Sequence, residues 1–162
     1  MAKTRVLRLL RERKLADLLT PPRAEGVFEA SGVVALGGYC FVALDNVRRV
    51  ARVASHLQPG SGDHQWTAAS RQGEGYEAIT YSGATGRFYL MIEAQKHPDG
   101  TFKAAIEEFD GKWRYKERRW VDVSFEKRNT GFEGLASIQF KGRHYLLALC
   151  EGNHCRGTKK KR

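Results

Sequence analysis

Three stretches of this chain follow one plan, and that repetition limits what it can fold into more than any other feature. In the first, Ala30-Ser31-Gly32-Val33-Val34 is followed by a Gly-Tyr-Cys-Phe-Val-Ala-Leu-Asp run that ends at Asp45. In the second, Tyr76-Glu77-Ala78-Ile79 precedes Gly-Arg-Phe-Tyr-Leu-Met-Ile-Glu, ending at Glu93. In the third, Phe132-Glu133-Gly134-Leu135 precedes Gly-Arg-His-Tyr-Leu-Leu-Ala-Leu-Cys-Glu, ending at Glu151. A small residue before a branched one opens each hairpin, and an acid closes it. The distance from Gly32 to Ala78 is 46 residues and from Ala78 to Gly134 is 56. Repeats of that length are single supersecondary units that bury their apolar faces only against neighbouring copies.

From Ala24 onward, short runs rich in Val, Ile, Phe, Tyr and Trp alternate with Gly-containing turns, and helical periodicity is nowhere sustained. The pattern predicts an all-β fold. Strands are expected at Glu29 to Leu36, Tyr39 to Leu44, Arg48 to Ala54, Tyr76 to Tyr81, Phe88 to Glu93, Thr101 to Phe109, Trp113 to Val123, Phe132 to Phe140 and Arg143 to Leu149, with a Pro/Gly loop from His56 to Asp63. A spacing of about 40 to 50 residues suits the blades of a β-propeller. There the first strand of each blade lines a crowded channel, so Gly or Ala is needed at the closest approach while branched neighbours pack between sheets.

The Glu-Gly-Leu and Glu-Ala-Ile openings, with Tyr-Leu-rich second strands ending in an acid, resemble the six-bladed β-propellers of the esterase-like phytase and lactonase kind. The resemblance covers about Phe28 to Cys155. Against it, the first two repeats supply about four strands each and the third only one hairpin, so the expected architecture is a partial β-propeller of about two and a half to three antiparallel blades. A closed propeller typically has 4 to 8 blades. The chain is thus expected to be a piece of a longer propeller or to be completed by self-association, since open blade edges invite pairing.

The net charge of +10 first suggests a nucleic-acid binder. From Met1 to Arg23, however, seven basic residues face two acids, and Arg156 to Arg162 holds five basic residues and no acid. Each end therefore carries +5, and Ala24 to Cys155 sums to zero. Residues 1–23 read as a basic leader helix and Pro linker, 24–155 as the repeat domain, and 156–162 as a disordered basic tail. Nucleic-acid contact is expected only through the ends. Trp113, Tyr115 and Trp120, interleaved with Lys112, Arg114, Lys116, Arg118 and Arg119, read as an outer strand with its bases in water. No run approaches the roughly 20 apolar residues of a membrane span, and the start lacks the apolar core of a signal peptide, so the default expectation is a cytoplasmic protein. Three cysteines, Cys40, Cys150 and Cys155, do not make a disulfide framework, though Cys150 and Cys155 are close enough in sequence to pair.

The chemistry-bearing residues fall at equivalent repeat positions. Glu77 and Glu133 would line the channel, and Asp45, Glu93 and Glu151 would end second strands near the same axis. Converging carboxylates suit a hard cation, and Asn46 and Asn153, each just after an acid, offer neutral oxygens toward the 6 to 8 ligands of Ca²⁺. In the propellers that the chain resembles, a channel Ca²⁺ polarises an ester or lactone carbonyl. That implies a Ca²⁺-dependent hydrolase of esters, lactones or phosphoesters in the intact form, inactive as this chain alone. The competing readings are that these acids bond backbone amides of neighbouring blades, and that the chain is a non-catalytic interaction module. His144 lies within a strand and faces either the channel or solvent. Gly60-Ser61-Gly62-Asp63-His64 places Ser, Asp and His side by side, but a catalytic triad is assembled from separated elements.

Overall fold

A computed structural model describes residues 7–20, 27–69, 75–128 and 130–150 of the 162-residue chain. Among these residues ten strands form three antiparallel sheets that follow one another along the chain. The first holds β1 (Ala30–Leu36), β2 (Tyr39–Leu44), β3 (Val47–Ala54) and β4 (Gln65–Ala69) in that order. The second holds β5 (Ala78–Ser82), β6 (Arg87–Lys96), β7 (Phe102–Asp110) and β8 (Tyr115–Phe125). The third is the hairpin of β9 (Phe132–Phe140) and β10 (Arg143–Cys150). Nine strands lie within a few residues of their expected places. β4 was not foreseen: it is short, and it follows a turn-rich loop that gives no strand signal.

The sheets stack face to face, with β1 beside β5 and β5 beside β9. Close approach at the first of these contacts depends on Gly32, where an added Cβ would come within 3.1 Å of the Ala78 Cα and the Ile79 amide nitrogen. Backbone atoms cannot move aside as a flexible side chain can, so the small residue expected at this crowded position is required there. At the second contact the Ser137 amide donates to Thr80 Oγ1 at 3.0 Å.

Two apolar junctions result. Between the first and second sheets lie Phe41, Val50, Ile79, Phe88, Leu90 and Phe109, all buried, with Trp113 stacked on Phe88 at 4.3 Å and 22°. Trp113 sits at φ 59°, a left-handed conformation that a large side chain adopts rarely. Its ring reaches Phe41 of the first sheet as well as Phe88 and Phe109 of the second, and these contacts hold it there. Between the second and third sheets lie Met91, Ala104, Phe125 and Phe132, the two phenyl rings meeting edge to face at 5.3 Å. Each large side chain fully buried in these junctions contributes about 1.5–3 kcal/mol.

The outer faces differ. On the first sheet, Leu15, Leu18, Leu19 and Phe28 pack over Val42, Val47, Ala51, Val53 and Trp66, and Trp66 Nε1 donates to the Thr20 carbonyl at 2.8 Å. The basic leader helix expected over the first twenty residues is much shorter. Among residues 7–20 only Leu15–Leu18 is helical, as α1, and Lys14 before it makes no side-chain cap. A single uncapped turn does not recover the cost of helix nucleation. The leader is held instead by its leucines and by Arg11, whose guanidinium donates to the His56 carbonyl at 3.0 Å. On the third sheet, Ile138, Phe140, Tyr145, Leu147 and Leu149 face outward and are exposed. No helix among the described residues is long and apolar enough to cross a membrane.

Candidate functional site

Four of the expected acids come together where the inner ends of the sheets meet. The turn that closes β2 sets Asp45 in place, its amide donating to the Glu29 carbonyl at 2.9 Å. The backbone entering the second sheet then docks on that turn. Gly75 lies so close that a Cβ would fall 1.4 Å from the Asp45 carbonyl oxygen, and the Tyr76 amide donates to the Leu44 carbonyl at 2.8 Å. This docking carries the next residue, Glu77, to the Asp45 side chain, while the Glu77 amide is tied to the Met91 carbonyl at 2.9 Å. Glu93 lies at the irregularity of β6 between Ile92 and Gln95, and Glu133 is the second residue of β9.

Glu77 is the buried member, 8% exposed, with Glu93 half-buried and Asp45 and Glu133 exposed around it. Burial pushes its carboxyl up to about 8. A hydrogen bond to the Asp45 carboxylate and the negative charges of Asp45, Glu93 and Glu133 act in the same direction. At neutral pH Glu77 therefore carries a proton and donates it to Asp45, which prevents two adjacent carboxylates from repelling each other. All four are hard oxygen donors of the kind that hold Ca²⁺, and their mutual repulsion is what a cation would relieve. As they stand, no group of three or more His, Cys, Asp or Glu among the described residues is gathered tightly enough to hold a metal ion. The donor chemistry fits a divalent cation, and as the four stand Glu77 holds a proton in its place.

The other expected ligands behave differently. Glu151 and Asn153 lie outside the described residues, as does Cys155. Cys150 is disulfide-bonded and Cys40 is free. The Asn46 side chain is taken up by backbone: its amide donates to the Val27 carbonyl at 2.7 Å and its carbonyl accepts from the Glu29 amide at 3.3 Å. It thereby pins the chain entering β1 beside the Asp45 turn. His144 faces the second sheet. Its ring lies 5.3 Å from that of Tyr89, and its Nε2 is 3.0 Å from Ser137 Oγ. Ser61, Asp63 and His64 form no triad, because His64 bonds the Ala54 amide and the Gln58 carbonyl while Asp63 pairs with His56.

Sequence reasoning missed two participants. Gly75 and Tyr76 bring Glu77 to Asp45, and the Tyr76 hydroxyl donates to the Glu107 carboxylate at 2.8 Å inside the first junction. Glu107, within β7, is fully buried. The signal available for Gly75 was the Gly-Glu-Gly run directly before the repeat opening. A cleft of about 600 Å³ lies elsewhere, between Leu9–Arg13 of the leader and the loop from His56 to Pro59, and it includes none of the four acids. Comparison with family models, curated proteins and solved structures finds no match to this chain.

Proposed function

We propose that this chain is part of a β-propeller, and that Asp45, Glu77, Glu93 and Glu133 form a divalent-cation site on its axis. The completed propeller would be a hydrolase of esters, lactones or phosphoesters. The observation that carries the reading is that Asp45, Glu93 and Glu133, drawn from three successive sheets, all act on the buried Glu77 carboxyl, which burial first and then these acids push up to about 8. The adjacency of β1, β5 and β9 supports it too, because first strands adjoin one another where sheets radiate from a common axis. Bound there, Ca²⁺ would act as a Lewis acid on a carbonyl or phosphoryl oxygen. The chain's own part is to present the carboxylates and to exchange the Glu77 proton for the metal.

Calorimetric titration of the whole chain with Ca²⁺ tests this. Binding is expected at pH 9, weaker binding at pH 6 where the proton competes, and none in a Glu77→Gln, Glu133→Gln double variant. Absence of binding at both pH values, or binding indifferent to the substitutions, would remove the site.

A second reading, a non-catalytic interaction module, is favoured by the exposed apolar face of the third sheet.

A further inference from the structure

We propose that a second copy of this chain completes the ring, the bare face of each third sheet seating on the inner part of the other copy's first sheet. The inference rests on the propeller reading above. It begins from continuity: the first sheet stacks on the second and the second on the third, and the outward face of the third sheet is built like the faces already joined. Register places Tyr145 across from Ile138, with Leu147 across from Ala136 and Leu149 across from Gly134, so these three pairs are apolar or small, and Arg143 across from Phe140 stands at the turn end of the face. Leu147 is 60% exposed and Leu149 70%.

The receiving surface is set by how the first sheet is covered. Leu15, Leu18, Leu19 and Phe28 lie over β2, β3 and β4 and leave β1 uncovered, with Val33 64% exposed and Ala35 exposed beside it. Among the described residues the third sheet holds two strands, β9 and β10. In a full four-stranded sheet the outer two strands would press where the leader's leucines already lie.

Two copies supply six sheets, within the 4 to 8 of closed propellers, and a two-fold axis along the channel creates two identical junctions at once. Pairing of the two third sheets with each other would instead leave both Val33 side chains in water.

Sedimentation equilibrium and light scattering of the full chain test the proposal, with near-UV circular dichroism as a check on folding. The expected mass is twice 18.3 kDa. Leu147→Glu and Val33→Glu alter exposed positions at opposite ends of the stack, and each is expected to halve the mass while the dichroism spectrum is retained. A wild-type monomer, an open series of higher assemblies, or a dimer that survives Val33→Glu would overturn it. The Ca²⁺ titration separates this failure from failure of the underlying reading, because the four acids belong to one copy. A monomer whose Ca²⁺ binding is abolished by Glu77→Gln would overturn the second copy alone. A dimer that dissociates on Val33→Glu yet binds no Ca²⁺ supports the second copy and removes the cation site.

Discussion

On the outer face of the first sheet, Leu15, Leu18 and Leu19 lie over Val42, Ala51 and Val53, and the chain covers most of its own apolar surface. On the outer face of the third sheet, Tyr145, Leu147 and Leu149 point into water. Both faces belong to antiparallel sheets, with the same alternation and the same kind of residue. What separates them is supply of cover. A stretch of chain with leucines at hand precedes the first sheet, whereas the third sheet ends in a two-stranded hairpin with nothing among the described residues laid over it. A β-sheet face is therefore apolar because of its place in the stack, and the sequence pattern of a strand does not reveal whether its partner is present. A lone two-stranded hairpin is marginal in water, so the third sheet owes its order to the junction with the second.

The comparison is most easily broken from the covered side. Leu19 is 7% exposed, and Leu19→Ala is expected to cost about 2–4 kcal/mol in denaturant unfolding. A change below about 0.5 kcal/mol would mean that the leader rests on the sheet without stabilising it.

Next in size is the pH response of the inner ends, which lie between the two faces. The Glu77 carboxyl titrates near 8 when folded and near 4.5 when unfolded. Between those values the native state binds the extra proton, so its stabilising contribution is complete below about pH 4.5 and is lost as pH rises through about 8. Unfolding followed in the presence of a chelator is expected to show a decline on the order of a few kcal/mol across that window, absent in Glu77→Gln. If Leu19→Ala also flattened the decline, the covered face would be setting the register of the inner strands as well as shielding its own sheet.

The smallest expected effect falls on the bare side. At concentrations low enough to keep the chain monomeric, Leu149→Ser should alter stability by no more than about 0.5 kcal/mol, because that side chain is already largely in water. A loss approaching that of Leu19→Ala would show that the two faces are alike after all.

Much of this organisation was legible in the residues. The three hairpins announced themselves because Gly32, Ala78 and Gly134 precede branched residues at nearly even spacing, and the crowding that demands Gly32 is an actual contact with the backbone of β5. Asp45, Glu93 and Glu133 were singled out with Glu77 because they fall at matching places in the three hairpins, and all three act on the Glu77 carboxyl. The remainder depends on partners distant in sequence. Glu107 is buried because Tyr76, 31 residues away, supplies a hydroxyl to its carboxylate, and no local pattern encodes that. The leader's leucines suggested one long helix, but their role is set by the sheet they meet. Asn46 followed an acid as a metal ligand might, yet the Val27 carbonyl and Glu29 amide occupy both ends of its amide.

The bond from Trp66 to the Thr20 carbonyl joins residues 46 apart in sequence. As the chain leaves the ribosome, the leucines of the leader emerge well before β3 and β4, which they will cover. They spend that interval as an apolar segment with no surface to rest on. The positive charge interspersed among them acts in that interval as well: like charges keep nascent leaders apart until the sheet that receives the leucines has been made.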